Sequence, residues 1–170
     1  MNITIIKKLP SVEDIIERFP LSESGHRKIN RDRNEIKNIF EGKDSRFLVI
    51  VGPCSAWPME AVLEYAHKLK NLEEKLKDHI KIVMRVYIQK PRTTKGWTGP
   101  INQPDPLKKA NIENGIYYAR EMMVKVVELG LPIADEILFT HNAKSFQELL
   151  SWVAIGARNN EDQEHSIFAS

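Results

Sequence analysis

Four cations crowd one eleven-residue stretch, "RVYIQKPRTTK", which carries Arg85, Lys90, Arg92 and Lys95, although the 170-residue chain has a formal net charge of only +2. Arginine offers a planar, forked set of donors that matches a phosphate or carboxylate, and lysine offers a mobile point charge. Pro91 fixes the backbone beside Lys90. The stretch follows directly on an apolar run, so the cations sit where a strand empties into a loop. They form an anion site, or else a solvated loop face. A second run, "RFLVIVGPCS" (46–55), ends in the chain's one cysteine, Cys54. A thiol there is either a small buried hydrophobe or a metal ligand, and its place at a strand end before a serine favours the ligand.

The elements that must position these groups follow from hydrophobic periodicity. The run 46–55 reads as a strand buried on both faces. "MEAVLEYAHKLKNLEEKLK" (59–77) reads as a helix with Val62, Ala66, Leu69, Leu72 and Leu76 on one stripe. "KIVMRVYI" (81–88) is a second strand, followed by a long loop from about Gln89 to Asn111. A helix over 112–130 stops at Gly130, with Met122 and Met123 in the core. A third strand covers 131–139, a short helix 145–152, a fourth strand 153–158, and a further helix begins after it. Residues 1–45 read as a helical extension: Ser11 caps one helix with Asp14 in its first turn, and a thinly apolar helix with Ile29, Ile36, Ile39 and Phe40 closes at Gly42.

About four strand–helix units in a row, joined by connections that leave only parallel neighbours, make an α/β fold. Their strand ends carry Cys54, then Arg85 with Lys90 beyond, then Asp135 and Glu136, then Arg158. Ligands and catalytic groups gather at that edge in both doubly wound sheets and (β/α)8 barrels. Neither GxGxxG nor GxxxxGK[ST] occurs, which disfavours nucleotide folds. The barrel therefore gains on the doubly wound sheet without excluding it, as a partial (β/α)8 barrel of about four units over 46–170 behind the extension at 1–45.

Composition excludes other classes. With 25 basic and 23 acidic residues, the chain lacks the basic excess of a nucleic-acid binder. No apolar run is long enough for a membrane span, and the first twenty residues lack a signal peptide's pattern. A single cysteine fits a reducing, cytoplasmic setting.

The set "GPCS" (52–55), "MRVYIQKPRTTKGW" (84–97), "GLP" (130–132) and "SWVAIGAR" (151–158), with "LPSVEDIIERFP" (9–20) ahead of it, resembles the type I 3-deoxy-D-arabino-heptulosonate 7-phosphate (DAHP) synthases. The resemblance covers nearly the whole chain in order. It implies a metal-dependent (β/α)8 barrel that condenses phosphoenolpyruvate with erythrose 4-phosphate and releases phosphate, the first step of the shikimate route. By resemblance Cys54 is a ligand of a divalent metal (Mn, Fe, Co or Zn). Arg85, Lys90, Arg158 and the backbone at Ala157 hold phosphoenolpyruvate. Lys90, Pro91, Arg92 and Thr93 hold erythrose 4-phosphate, and Glu136 lines the pocket. Arg85 and Lys90 are the catalytic pair, with Lys90 placed for proton transfer.

The other metal ligands of the family fall beyond residue 170, and one thiol does not make a divalent-metal site. The expectation is thus half a barrel, inactive alone, with open strand edges. It works as a homo-oligomer or pairs with a full-length homologue. A non-catalytic remnant bound to such a homologue and a plain phosphate-binding α/β module are the rival readings. The sequence also departs from the family pattern at Ala56-Trp57-Pro58, at Asn159-Asn160 and at "FTHNAKS" (139–145). Arg158 has an alternative as the partner of Glu161 or Asp162, and Glu136 as the partner of an arginine. His67, His79 and His141 are expected at the surface, and Trp57 and Trp152 in packing.

Overall fold

The computed structural model describes residues 7–92, 95–137, 144–156 and 159–170. Four strands form one sheet in the order β1 (Phe47–Val51), β2 (Ile80–Arg85), β3 (Ile133–Ile137), β4 (Trp152–Ile155). Every neighbouring pair is parallel. The helices are α1 (Val12–Arg18), α2 (Glu23–Phe40), α3 (Met59–Leu76), α4 (Ile112–Glu128), α5 (Lys144–Gln147) and α6 (Gln163–Ala169). Strand and helix alternate from β1 onward, and the sheet is one half of a (β/α)8 barrel.

The period-two alternation of β2 sorts its residues to two faces. Ile82, Met84 and Val86 join Ile133 and the α3 and α4 side chains Val62, Ala66, Met122 and Met123 in the main core. Val83 and Ala134 point the other way and meet Leu48, Ile50, Trp152 and Ile36 of α2. That second face is the barrel interior, so α2 lies across its floor. The floor is also ionic: Lys81, buried on the inner face, reaches Asp32 at 2.6 Å and Glu35 at 2.9 Å, and Arg46 reaches Glu35 at 2.9 Å.

Residues 7–45 share the main core. Ile15, Leu21 and Ile29 are buried in it. The fully buried Arg120 of α4 donates to the carbonyl oxygens of Phe19 and Ser145 and to Glu148, and so joins the extension to α4 and to the α5 region. Ser11 forms a reciprocal capping box with Asp14, and Gly42, at φ 70°, follows the α2 cap. Both are the signals that the sequence carries at those ends.

Several boundaries differ from the sequence reading. β1 is not buried on both faces: Phe47 is 76% and Val49 37% exposed. The helix that follows β1 packs on β2 instead, which leaves the outer face of β1 open. Leu72 drops out of the α3 stripe at 46% exposure, while Val62, Ala66 and Leu69 stay buried. β2 ends at Arg85 rather than residue 88. α5 ends at Gln147, because Leu149 and Leu150 donate back three residues in turns and Ser151 N already donates to Ile133 O of β3. Trp152 therefore opens β4 instead of closing a helix. Met122 and Met123 are fully buried, and His67 and His79 exposed, as the pattern requires. His141 lies outside the described residues. No helix among the described residues is long and apolar enough to cross a membrane.

Candidate functional site

The site begins where β1 and β2 end side by side. Val51 is in register with Met84, so Gly52 comes to lie beside Arg85. A Cβ on Gly52 would stand 2.4 Å from the Arg85 carbonyl oxygen and 3.0 Å from its N and Cβ. Only glycine fits that approach. The closeness lets the Arg85 guanidinium donate Nη2–H to the Gly52 carbonyl at 2.8 Å. The guanidinium carbon also lies 5.1 Å from the centre of the Tyr87 ring, within cation–π range. Its Nε is buried without an acceptor among the described residues. Arg85 is thus a cation fixed by the backbone, with a donor still to be satisfied.

Lys90 is the second cation. It is buried, and its Nζ lies 3.7 Å from the Cys54 sulfur. Its backbone is pinned, since Lys90 N donates to Thr98 O at 3.0 Å. The loop behind it folds tightly: Gly99 has φ +100° and its Cβ position lies 2.4 Å from Ile88 O, so this turn too requires glycine. Trp97 anchors the loop by donating Nε1–H to Gln103 O at 2.7 Å. Trp97 also meets Trp57 edge-to-face at 6.4 Å between centroids, which ties the "GPCS" turn to the "KPRTTKGW" loop. The departure at Trp57 therefore has a packing role, as expected of it.

Cys54 is exposed, so the buried-hydrophobe alternative fails. Pro91 and Arg92 are exposed too. Arg92 turns onto its own loop, donating Nε–H to Trp97 O at 3.1 Å and Nη1–H to Pro91 O at 3.4 Å. Glu136, on the inner face with Ala134, is half-buried and has no ion pair among the described residues; Arg158, one of the arginines it could pair with, lies outside them. Glu136 stays close enough to Tyr87 to help burial push that phenol upward. Thr93, Ala157 and Arg158 lie outside the described residues. Asp162, the alternative partner of Arg158, caps α6 by accepting from Glu164 N and His165 N.

Asp135 is the residue that the sequence placed at this edge without a role. It sits on the opposite face of β3 from Glu136 and is buried. Its Oδ1 accepts from Ile88 N at 3.3 Å. The signal for it was present: a carboxylate at an internal position of an apolar strand is costly to bury and needs a reason.

No group of three or more His, Cys, Asp or Glu side chains could hold a metal ion among the described residues. One exposed thiol with an ammonium as its neighbour is not a complete donor set for a divalent ion. The described residues therefore do not fit a metal by themselves, and no step below runs through one. What they do assemble is Arg85 and Lys90 at the mouth of the half-barrel, which can hold an anion that carries more than one oxygen.

Comparison with known proteins agrees with this architecture. The model of the DAHP synthetase I family matches residues 19–170. The phospho-2-dehydro-3-deoxyheptonate aldolase of Corynebacterium glutamicum is 40% identical over 169 residues, 99% of this chain and 46% of that protein. The Phe-sensitive phospho-2-dehydro-3-deoxyheptonate aldolase of Escherichia coli K12 is 41% identical over 170 residues, 100% of this chain and 49% of that protein. The solved phospho-2-dehydro-3-deoxyheptonate aldolase of Francisella tularensis SCHU S4 superposes with a TM-score of 0.91 at 43% identity, covering 96% of this chain and 48% of that one. The chain spans about half the length of the curated relatives it matches. With the family's four sequence blocks in order and the half-barrel carrying them, the chain belongs to the DAHP synthetase I family.

Proposed function

We propose that this chain forms the phosphoenolpyruvate-holding half of a DAHP synthase active site. The observation that carries the reading is Arg85: a half-buried arginine fixed to Gly52 at the end of β2, whose buried Nε lacks an acceptor among the described residues. A buried donor without a partner costs about 1–3 kcal/mol, and a carboxylate or phosphate oxygen of phosphoenolpyruvate would remove that cost. Lys90, on the neighbouring loop, supplies the second charge. Erythrose 4-phosphate takes the more exposed rim at Pro91 and Arg92, and the family resemblance assigns Thr93 to the same substrate. Glu136 lines the pocket from β3, and the family resemblance assigns Ala157 and Arg158 to phosphoenolpyruvate.

In the condensation, the C2–C3 π pair of phosphoenolpyruvate forms the bond to the aldehyde carbon of erythrose 4-phosphate, and the aldehyde oxygen takes up a proton. Water adds at C2 and the C2–O bond to phosphate breaks. The two protons of that water replace the one given to the aldehyde oxygen and go to the departing phosphate. The Lys90 ammonium is the donor we assign to the aldehyde oxygen. Arg85 holds the charge of phosphoenolpyruvate fixed while this happens. Cys54 is one ligand toward the divalent metal (Mn, Fe, Co or Zn) of the family, and the other ligands come from outside the described residues. Acting alone, the 170-residue chain binds phosphoenolpyruvate and does not turn it over.

Phosphorus NMR of phosphoenolpyruvate, erythrose 4-phosphate and inorganic phosphate, each titrated with the purified chain, tests this. The reading expects phosphoenolpyruvate to broaden at lower protein concentration than phosphate. Equal broadening of all three points to a plain phosphate-binding module, and no broadening refutes the site.

A second reading concerns partners. Among the described residues β1 and β4 each have one neighbour in the sheet, and Phe47 and Val49 are exposed on β1. We propose that these edges pair with a full-length homologue or with a second copy of the chain. Light scattering that gives a mass of 19.6 kDa at working concentration, with and without such a homologue, would refute it.

A further inference from the structure

We propose that Asp135 is the positioning residue of the anion site, because its carboxyl replaces the β2–β3 ladder at Ile88 and so sets the course of the backbone that carries Lys90. This rests on the phosphoenolpyruvate reading of Arg85 and Lys90 given above.

The ladder shows where the replacement occurs. Met84 N donates to Pro132 O at 2.8 Å, and Val86 N donates to Ala134 O at 2.8 Å. The next donor on that side is Ile88 N, and a continuing parallel ladder would send it to Glu136 O. It goes to the Asp135 side chain instead. The chain of β2 can then leave β3 without orphaning a buried amide. Ile88 is held from its other side as well, since its carbonyl accepts from Ile101 N at 3.3 Å. Two residues further on, Lys90 N is fixed to Thr98 O and its Nζ stands over Cys54. Asp135 thus acts on Lys90 through two residues of backbone and touches neither Lys90 nor a substrate.

The groups facing Asp135 are Glu136 on its own strand and Tyr87 and Lys90 on the segment leaving β2. Burial pushes the carboxyl up to about 8; the amides of Glu136 and Ile88 and the charge of Lys90 pull it down, while Glu136 adds to the rise. Near neutral pH the group is therefore an uncharged acid, which still accepts through its carbonyl oxygen. An asparagine keeps that acceptor and cannot ionise. Above pH 8 the buried charge favours opening of the 86–90 segment, which would let water reach it.

The test is amide exchange of Ile88, with Met123 in the core as reference, and phosphoenolpyruvate binding, both at pH 6 and pH 9. The proposal expects Asp135→Ala to lower Ile88 protection and phosphoenolpyruvate affinity, each by about tenfold, with Met123 unmoved. Asp135→Asn restores both, and removes the loss of Ile88 protection that the parent chain shows at pH 9. If Ile88 protection is the same in Asp135→Ala as in the parent, the proposal is wrong. It is equally wrong if Asp135→Asn loses as much as Asp135→Ala while Met123 stays protected. Should Asp135→Ala unfold, Asp135→Asn decides alone by whether the change between pH 6 and pH 9 disappears. A parent chain that binds no phosphoenolpyruvate overturns the substrate reading, while the Ile88 exchange still decides the clamp.

Discussion

Lys90 Nζ lies 3.7 Å from Cys54 Sγ, which brings the anion loop after β2 against the turn after β1. The two residues are 36 positions apart in sequence, and parallel pairing of β1 with β2 is what joins them. Cys54 is exposed, so an alkylating reagent reaches it. Bound phosphoenolpyruvate at Lys90 would cover the thiol. We expect iodoacetamide labelling of Cys54, followed by mass spectrometry, to slow at least severalfold when phosphoenolpyruvate is added and to be unchanged by chloride at equal ionic strength. Equal slowing by both would show screening rather than a site.

Replacing Lys90 removes a buried, charge-assisted contact to the ligand. Such contacts contribute about 1.5–3 kcal/mol, so Lys90→Met should weaken phosphoenolpyruvate binding by roughly 10- to 100-fold in calorimetry. Arg92→Met should cost phosphoenolpyruvate less than threefold, about 0.6 kcal/mol, since that side chain lies at the exposed rim and bonds to its own loop.

Gly52 sets the position of Arg85 by having no side chain. In Gly52→Ala the new methyl group meets Arg85 backbone and Cβ atoms, none of which lies at the end of a flexible chain. Overpacking of this kind costs about 1–3 kcal/mol. A urea titration should show the midpoint falling, and phosphoenolpyruvate affinity should fall with it as the guanidinium shifts.

The floor of the half-barrel rests on buried charge. Asp32 is 1% exposed and bonds both Lys81 and Lys28. Burial also pulls the Lys28 ammonium down, against the pull of Asp32. Asp32→Ala leaves Lys81 buried with Glu35 as its remaining acid. Breaking a buried pair from one side costs about 3–5 kcal/mol, and a loss toward the lower end is expected here because Glu35 stays. Circular dichroism during urea unfolding measures it.

Asp135 gives a signed pH dependence of stability. Its folded value, about 8, is above the ordinary 3.8 of an aspartate, so the folded chain binds the extra proton between the two. Stability from this group is therefore full below about pH 4 and is lost as pH rises toward 8. Asp135→Asn removes that loss. The variant should gain on the parent steadily from pH 4 to pH 8, reaching a few kcal/mol, and level off above. A constant difference across the range would mean that Asp135 does not titrate there.

Much of this arrangement was legible in the residues. The apolar run before "GPCS", the 3.6-residue stripe of α4 and the glycine at 130 are local signals, and each produced the element that it predicts. The positions of two cations were legible as well, because Arg85 closes an apolar strand and Lys90 stands in the loop that follows it. What the sequence did not yield depends on neighbours. Phe47 and Val49 read as core because the run is apolar, yet no helix covers them. β2 read three residues too long because Val86 to Ile88 are apolar, and the event that ends it is a bond to a side chain 47 residues away. Nothing in the local sequence marks Arg120 or Lys81 for burial, and the packing of residues 7–45 onto the half-barrel supplies their partners Phe19, Asp32 and Glu35.

The central claim is that residues 1–170 supply a working phosphoenolpyruvate half to this family's active site. The 0.91 TM-score to the Francisella tularensis protein makes an exchange practical. This chain would replace the matching first half of that relative, and condensation of phosphoenolpyruvate with erythrose 4-phosphate would be followed by phosphate release. The folded chimera should condense the two substrates, and Lys90→Met within it should abolish turnover without unfolding it. A chimera that folds with the relative's thermal stability and shows no turnover, or one whose turnover survives Lys90→Met, would contradict the claim.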